Sequence, residues 1–423
     1  MIAESANRKP GRYRSREGFA LVITLSLLAM LVLTMFALTT LAKINSRISS
    51  ASMQHTRARG NALVALTLAL GELQRHAGPD NRVTGMAGVT GIGPGDSLRH
   101  WTGVWGSVPS PVWLSSGASG SDSPSLSGAR LKIVGGNTVG SPSDPTDQES
   151  VEVGLIDLPG IDAQGRIATT GRIAYWVGDE GVKVSAVIPD ADAQTGGGGN
   201  LPLRPNLRGL VSTSFDGSNP LNAKLLSLEQ LKSATTGYSL FKSFHSLTLA
   251  HHALATTAGS GTPRPGDYVT GAFNVNTTSE AAWRSLLELP DSTAPFFGLN
   301  TARTLSGARG IRDHIAGQGR PFSSIAELLN SNVIQQSFDE ASPRILTPTQ
   351  EEFVDELTPI LAVRSDTFRI RAYGDTLDLA DHAQVEATAW CEAIVQRTPE
   401  LVPGGLGRRF VVTYFRWLGP DDI

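Results

Sequence analysis

The sequence predicts an α+β protein: a long N-terminal helix, a head built on antiparallel β-sheet, and an all-helical insert within that head. Three observations carry this expectation. Residues 19–42 (FALVITLSLLAMLVLTMFALTTLA) are an unbroken apolar run, and no Pro follows until Gly78-Pro79. The last third of the chain alternates apolar and polar residues in runs of strand length. Ahead of those runs lie segments with helix-capping residues and apolar residues three or four apart.

Composition sets the outer bounds. The 423 residues carry 36 Lys+Arg against 39 Asp+Glu, a net charge of -3, which argues against a generic nucleic-acid binder. A hydrophobic share of 40% suffices for a sizeable core. The single cysteine excludes a disulfide framework and any zinc cluster built on cysteines.

The first element is the apolar run. From Phe19 to Ala42 there is no charge, Gly or Pro, and as a helix the run would extend about 36 Å, enough for a hydrocarbon core of about 30 Å. Arg8, Lys9, Arg12, Arg14 and Arg16 precede it, opposed only by Glu4 and Glu17. The positive-inside rule therefore keeps residues 1–18 in the cytoplasm and exports the rest as the head of a single-pass protein embedded in a lipid bilayer. A cleaved secretory signal would have a shorter apolar region and an A-x-A-like site, and the match near Ala42 is poor. A plain uncleaved anchor stays open. After Ala42 the chain turns polar but keeps helical spacing. Leu63, Leu66, Leu70 and Leu73 recur on one side with Ala62, Ala65 and Ala69 beside them, and Gly78-Pro79 is a stop. One helix over 19–76 is expected, with Gly60 as the place where it could break.

The junction Arg16-Glu17-Gly18-Phe19, a basic leader ending in Gly directly before the apolar run, resembles the prepilin-peptidase site of type IV pilins and type II secretion pseudopilins. That resemblance implies cleavage after Gly18 by a prepilin peptidase and N-methylation of Phe19. It also implies an inner-membrane protein with a periplasmic head, and assembly with other pilin-like subunits through the helix into a fibre. Most pilins carry Glu at the fifth mature position, which here is Ile23. The departure speaks against a major pilin and for a minor subunit of the pseudopilin K or pilin-X-like kind. The alternative is a single-pass, membrane-anchored periplasmic or surface binding protein that does not polymerise.

Residues 77–150 are rich in Gly, Ser and Pro (SSGASGSDSPSLSGAR, GSPSDPTDQES) and read as loop. Trp101, Trp105 and Trp113 interrupt them and are expected to pack together. Residues 151–270 read as the first, β-rich part of the head. Within them, residues 171–184 (GRIAYWVGDEGVKV) read as a hairpin turning at Gly178-Asp179-Glu180-Gly181, which places both carboxylates in solvent. In PDADAQTGGGGN, Asp190 and Asp192 with Gln194 are a fragment of a calcium loop. The twelfth position is Leu201 where such loops need a bidentate Glu, so calcium is only a weak candidate and no cofactor is expected.

Residues 271–345 read as the helical insert. Ser279 or Thr278 caps EAAWRSLLEL, with Ala282, Leu286 and Leu289 as its apolar stripe. SGARGIRDHIAG is helical up to Gly317, and Ser323 opens a further helix with Ala326-Glu327 in its first turn. Asn274 and Asn276 are expected to organise the backbone ahead of the first helix through Asx-type hydrogen bonds. Together, FNVNTTS, LLEL, ARGIRDHI and RPFSSIAELL resemble the helical insert of pseudopilin K. Residues 346–423 read as the terminal antiparallel sheet, with strands at 365–374, 385–395 and 410–418. The first of these resembles the strand that follows the insert in pseudopilin K. Cys391 is expected as a small buried hydrophobe.

The sequence holds no H-E-x-x-H, P-loop, G-x-S-x-G or dinucleotide fingerprint, so no enzyme is expected. The closest histidines, His245, His251 and His252, lack an evident carboxylate or third ligand nearby and read as structural.

Overall fold

The computed structural model describes residues 17–93, 95–106, 110–120, 122–139, 149–161, 165–185, 244–248, 273–287, 301–341, 361–378 and 384–423. The chain forms two compact units, residues 1–56 and 57–423. Helix α1, Glu17–Ala77, runs 61 residues and includes Gly60 without a break. In the first unit its described turns are almost wholly exposed.

The second unit is built on a five-stranded antiparallel sheet. Its strands are β8 (Ile156–Ile161), β9 (Ile167–Asp179), β14 (Thr367–Leu377), β15 (Val385–Leu401) and β16 (Arg408–Leu418). They lie in the order β16-β15-β14-β9-β8, so the three strands expected from the C-terminal alternation do form an antiparallel meander. The expected hairpin over 171–184 does not form. The 172–178 run instead lies in β9, which pairs with β14 from Phe368↔Asp179 to Gly374↔Ile173. Val184–Ser185 (β10) instead pairs in parallel with Leu247–Thr248 (β11). The local alternation of residues 172–184 suits a strand equally well whichever neighbour it takes, and the partners are remote in sequence.

Both faces of the sheet are covered. One receives the last turns of α1. Ala58, Ala62, Ala65, Leu66, Ala69, Leu73 and Ala77 are buried there against Tyr175, Val177, Phe368, Ile370, Ala372, Cys391 and Val395. The leucine stripe read from spacing is therefore mostly an alanine stripe, and Leu63 is exposed. Alanines let the helix axis come close, and Gly374 of β14 lies directly beneath Ala58 and Ala62. Asn61 Nδ2 donates to Asp375 O at 2.7 Å. Gln74 Nε2 donates to Leu406 O and Arg408 O, and Phe410 N donates back to Gln74 Oε1, so the helix is tied as well as packed.

The other face carries the layer that the described residues of 83–154 and 273–341 supply. Where composition reads as loop, short strands form: β1 (Val83–Met86), β2 (Thr102–Trp105), β3 (Val112–Trp113), β4 (Ala118–Ser119), β5 (Ser125–Leu126) and β6 (Arg130–Val134). A short helix, α2 (Gly136–Val139), and strand β7 (Val151–Gly154) follow them. Trp101, Trp105 and Trp113 are buried as expected. Trp105 and Trp113 meet edge to face, and Trp101 Nε1 donates to Glu152 O. These aromatic side chains anchor a stretch whose composition alone could not bury much.

The insert contains α3 (Glu280–Leu287), α4 (Thr301–Gly317), α5 (Ile325–Asn330) and α6 (Val333–Ala341). Ser279 caps α3 by accepting from Ala282 N, and Ala282 and Leu286 are buried as predicted; Leu289 lies outside the described residues. The cap of α5 is Ser324, not Ser323. Ser324 has the extended backbone and accepts from Glu327 N at 3.1 Å, while Ser323 donates to the Glu327 carboxylate through both its amide and hydroxyl. Ser324→Ala is expected to cost about 1 kcal/mol, read as a small drop in urea midpoint. A midpoint at the wild-type value would show that Ser323 substitutes for it.

Asn274 and Asn276 perform the expected Asx turn, with Asn276 N donating to Asn274 Oδ1 at 3.0 Å. They also do more. Asn274 Nδ2 reaches Thr84 and Ser365, and Asn276 joins Thr84 O, Phe322 O and Val363 O while accepting from Phe322 N. Two buried amides thus bind strand β1, the insert and the chain after β13 (Leu361–Ala362) into one body. Among the described residues the parallel pairings are β10–β11 and β12 (Phe273–Asn274) with β13, each two residues long.

Candidate functional site

Three places carry the chemistry at issue: the apolar part of α1, the buried charge cluster under the sheet, and a histidine pair beside it.

In α1, side chains from Phe19 to Leu41 are exposed on every side of the helix. A helix that is apolar all round and covered by nothing suits hydrocarbon rather than water. Its polar groups fit the same solvent. Thr24, Ser26, Thr34, Thr39 and Thr40 each donate their hydroxyl to a carbonyl three or four residues back. Every hydroxyl between Phe19 and Ala42 is thereby satisfied inside the helix, as lipid requires. This is a helix long and apolar enough to span a membrane. Gly18 and Phe19 lie in its first turn, Phe19 is exposed, and Ile23 stands exposed one turn on.

The carboxylates expected to be solvated at the Asp179-Glu180 turn are buried instead. They survive burial because partners arrive from elsewhere in the fold. Glu180 accepts from Lys183 Nζ at 2.5 Å, from Arg369 Nε at 2.9 Å and from the Thr248 hydroxyl. Burial alone would raise its pKa, but Arg369 and Lys183 outweigh that and hold it at about 2. Among the described residues Asp179 has no cation of its own. Burial pushes it up to about 6 despite hydrogen bonds from Ser365 and the Gly181 amide. Glu392, facing them from β15, accepts from Arg369, Arg371 and Arg416 at 2.8, 2.9 and 3.1 Å. Burial works against its charge too, and the three guanidiniums hold it well below the usual carboxylate range. The ring of Phe244 lies within 5.4 Å of the cationic heads of Lys183, Arg369 and Arg371, so a π face takes part of the surplus positive charge.

His245 belongs to a cluster, contrary to its isolated appearance in the sequence. His100 stacks on it with centroids 3.5 Å apart and planes 4° apart, and Glu149 joins both. Glu149 Oε2 lies 2.6 Å from His100 Nε2, and its carbonyl oxygen lies 2.8 Å from His245 Nε2. His251 and His252 lie outside the described residues. Two imidazoles and a carboxylate within 4.8 Å of one another are a familiar donor set for zinc. Here the rings are face to face. Imidazole lone pairs lie in the ring planes, and parallel planes 3.5 Å apart do not converge on one ion. The arrangement does hydrogen-bonding work instead, as both Nε2 atoms donate to Glu149.

The weak calcium candidates Asp190 and Asp192 lie outside the described residues. Cys391 is fully buried against α1, and burial pushes its thiol up to about 12, which makes it an unreactive core side chain as expected. The His100–Glu149–His245 group and the Glu180–Glu392 network were missed because their members are far apart in the chain. The one sequence signal was the closeness of Asp179, Glu180 and Lys183 within a strand-rich run.

Comparison of the chain with protein-family models, characterised proteins and solved structures finds no match.

Proposed function

We propose that this protein is a non-enzymatic minor pilin-like subunit, a pseudopilin. On this reading its N-terminal helix holds it in the inner membrane and assembles it with other pilin-like subunits into a type II secretion pseudopilus or type IV pilus, at the tip. The observation that carries the reading is α1 itself. One helix joins a lipid-compatible first part to last turns whose alanine face is covered by an antiparallel sheet. A plain anchor needs only the first part. Leu63, Val64 and Leu68 support the reading further, since they leave apolar surface on the side of those turns away from the sheet.

Processing is the test. The prepilin-peptidase junction at Arg16-Glu17-Gly18-Phe19 predicts a mature chain beginning at N-methyl-Phe19, seen by mass spectrometry of protein isolated from membranes. Gly18→Ala should then accumulate the unprocessed chain. An intact N-terminus in the wild type would overturn the assignment. Ile23 in place of the usual Glu fits a minor subunit within this reading; the alternative is a membrane-anchored binding protein that does not polymerise. The two separate on crosslinking in membranes, where only a fibre subunit gives adducts through residues of α1.

A further inference from the structure

We propose that Phe244–Thr248 is fastened to the head by a proton-sensitive latch, the stacked His100–His245 pair on Glu149, which opens when the imidazoles take up protons. Phe244–Thr248 is tightly held. His245 bonds the Glu149 carbonyl, Ser246 pairs with Ser279, Val184 N donates to Ser246 O, and Leu247–Thr248 forms β11.

The donor and acceptor inventory gives the latch its sign. A carbonyl oxygen can only accept, so His245 Nε2 carries a proton and donates to Glu149 O. His100 Nε2 donates to the Glu149 carboxylate. Each neutral ring therefore keeps its lone pair on Nδ1. His100 Nδ1 is buried with no partner among the described residues. A proton added to His100 must go to that atom, where nothing accepts it, on a ring 3.5 Å from a second imidazole.

The surroundings oppose the added charge. Arg99 on the loop before β2, Lys183 in the turn before β10 and Arg371 on β14 all face the pair, and the Glu149 carboxylate is the anion against them. Glu180 and Glu392 are already occupied by Lys183, Arg369, Arg371 and Arg416. Burial holds both histidines below the ordinary imidazole value, His245 well below it. For His245 the neighbouring His100 and then Lys183 add to it, and for His100 burial outweighs Glu149 with Arg99 and Lys183 on its side.

The open form titrates normally, near pH 6.5, and takes up protons that the closed form refuses. The closed-to-open ratio therefore falls as pH drops below about 6.5, by up to tenfold per pH unit for each imidazole and up to a hundredfold for both.

Hydrogen exchange of the full chain in neutral detergent micelles, from pH 7.5 to 5.0 and corrected for the intrinsic rate at each pH, tests this. Protection of Phe244–Thr248 should fall steeply below about pH 6.5 while Phe368–Ala372 of β14 keeps its protection, and return to pH 7.5 should restore it. The double variant His100→Gln/His245→Gln should have a flat profile over the same range. Wild-type protection of Phe244–Thr248 that follows β14 at every pH overturns the proposal, whatever the variant does. So does a double variant that keeps the wild-type pH profile.

Discussion

Gly374→Val is expected to destabilise the second unit by about 3–5 kcal/mol, at the upper end of what one substitution does. A Cβ at this position would overlap the Ala62 amide nitrogen and lie 2.6 Å from Ala58 O and 2.7 Å from the Asn61 carbonyl carbon. These are backbone atoms of α1, which cannot step aside as a side-chain tip can. The helix would have to lift off β14, opening the contacts of Ala62, Ala65, Leu66 and Ala69 and stretching the Asn61–Asp375 hydrogen bond. Gly71, in the same helix with nothing within 4 Å of its would-be Cβ, is the control. Gly71→Ala should gain about 0.5–1 kcal/mol, since it removes only backbone freedom from an exposed helical site. Thermal and urea unfolding of both variants in micelles measures the contrast. Equal midpoints for Gly374→Val and wild type would show that α1 does not pack on β14 as described.

Glu392→Ala is expected to cost about 3–5 kcal/mol, because it strands charge instead of removing it. Arg369 would keep Glu180, but Arg371, fully buried, would be left with the Thr138 hydroxyl and a long contact to Ile133 O. Glu392→Gln should fall between, since its amide oxygen still accepts while its charge is gone. The wild-type acid limb gives a second readout. Glu392 and Glu180 are held below their unfolded values, so their contribution is fully present above about pH 4.5 and is lost as pH falls toward about 2. That limb should shrink in Glu392→Ala to the part belonging to Glu180 and the other carboxylates held low, Glu327, Glu149 and Asp80. It sets in below the onset of the histidine titration near pH 6.5, and the difference between wild type and Glu392→Ala isolates the Glu392 part. An acid limb of wild-type size in Glu392→Ala would refute the network.

Much of the architecture was legible because it is written in local periodicity. The apolar run, the Gly78-Pro79 stop and the Ser279 cap each report the geometry of one element and appear where the pattern put them. The alternation read over residues 365–374 falls in β14, which starts at Thr367 and runs on to Leu377. The Asn274–Asn276 turn was legible for the same reason, since an Asx hydrogen bond spans two residues. Two local readings shifted. The buried face of α1 is set by its small residues more than by its leucines, because close approach to Gly374 favours alanine. The cap of α5 moved one residue to Ser324, because either serine satisfies the pattern and only backbone conformation separates them.

The sequence by itself determined that this chain has one lipid-grade helix, an antiparallel C-terminal meander and an insert of short helices. Only the tertiary structure decided that β9 lies between β14 and β8, which sent Asp179 and Glu180 inside instead of to a solvent turn. It alone brought Glu149 to His100 and His245, 49 and 96 residues away in the chain. The physical reason is the same in both cases. Periodicity is a property of neighbours along the chain, whereas strand partners and buried charge pairs are chosen among distant segments. Loop closure discriminates only weakly among such segments, and the choice falls to whichever pairing buries the apolar faces and satisfies the charges together.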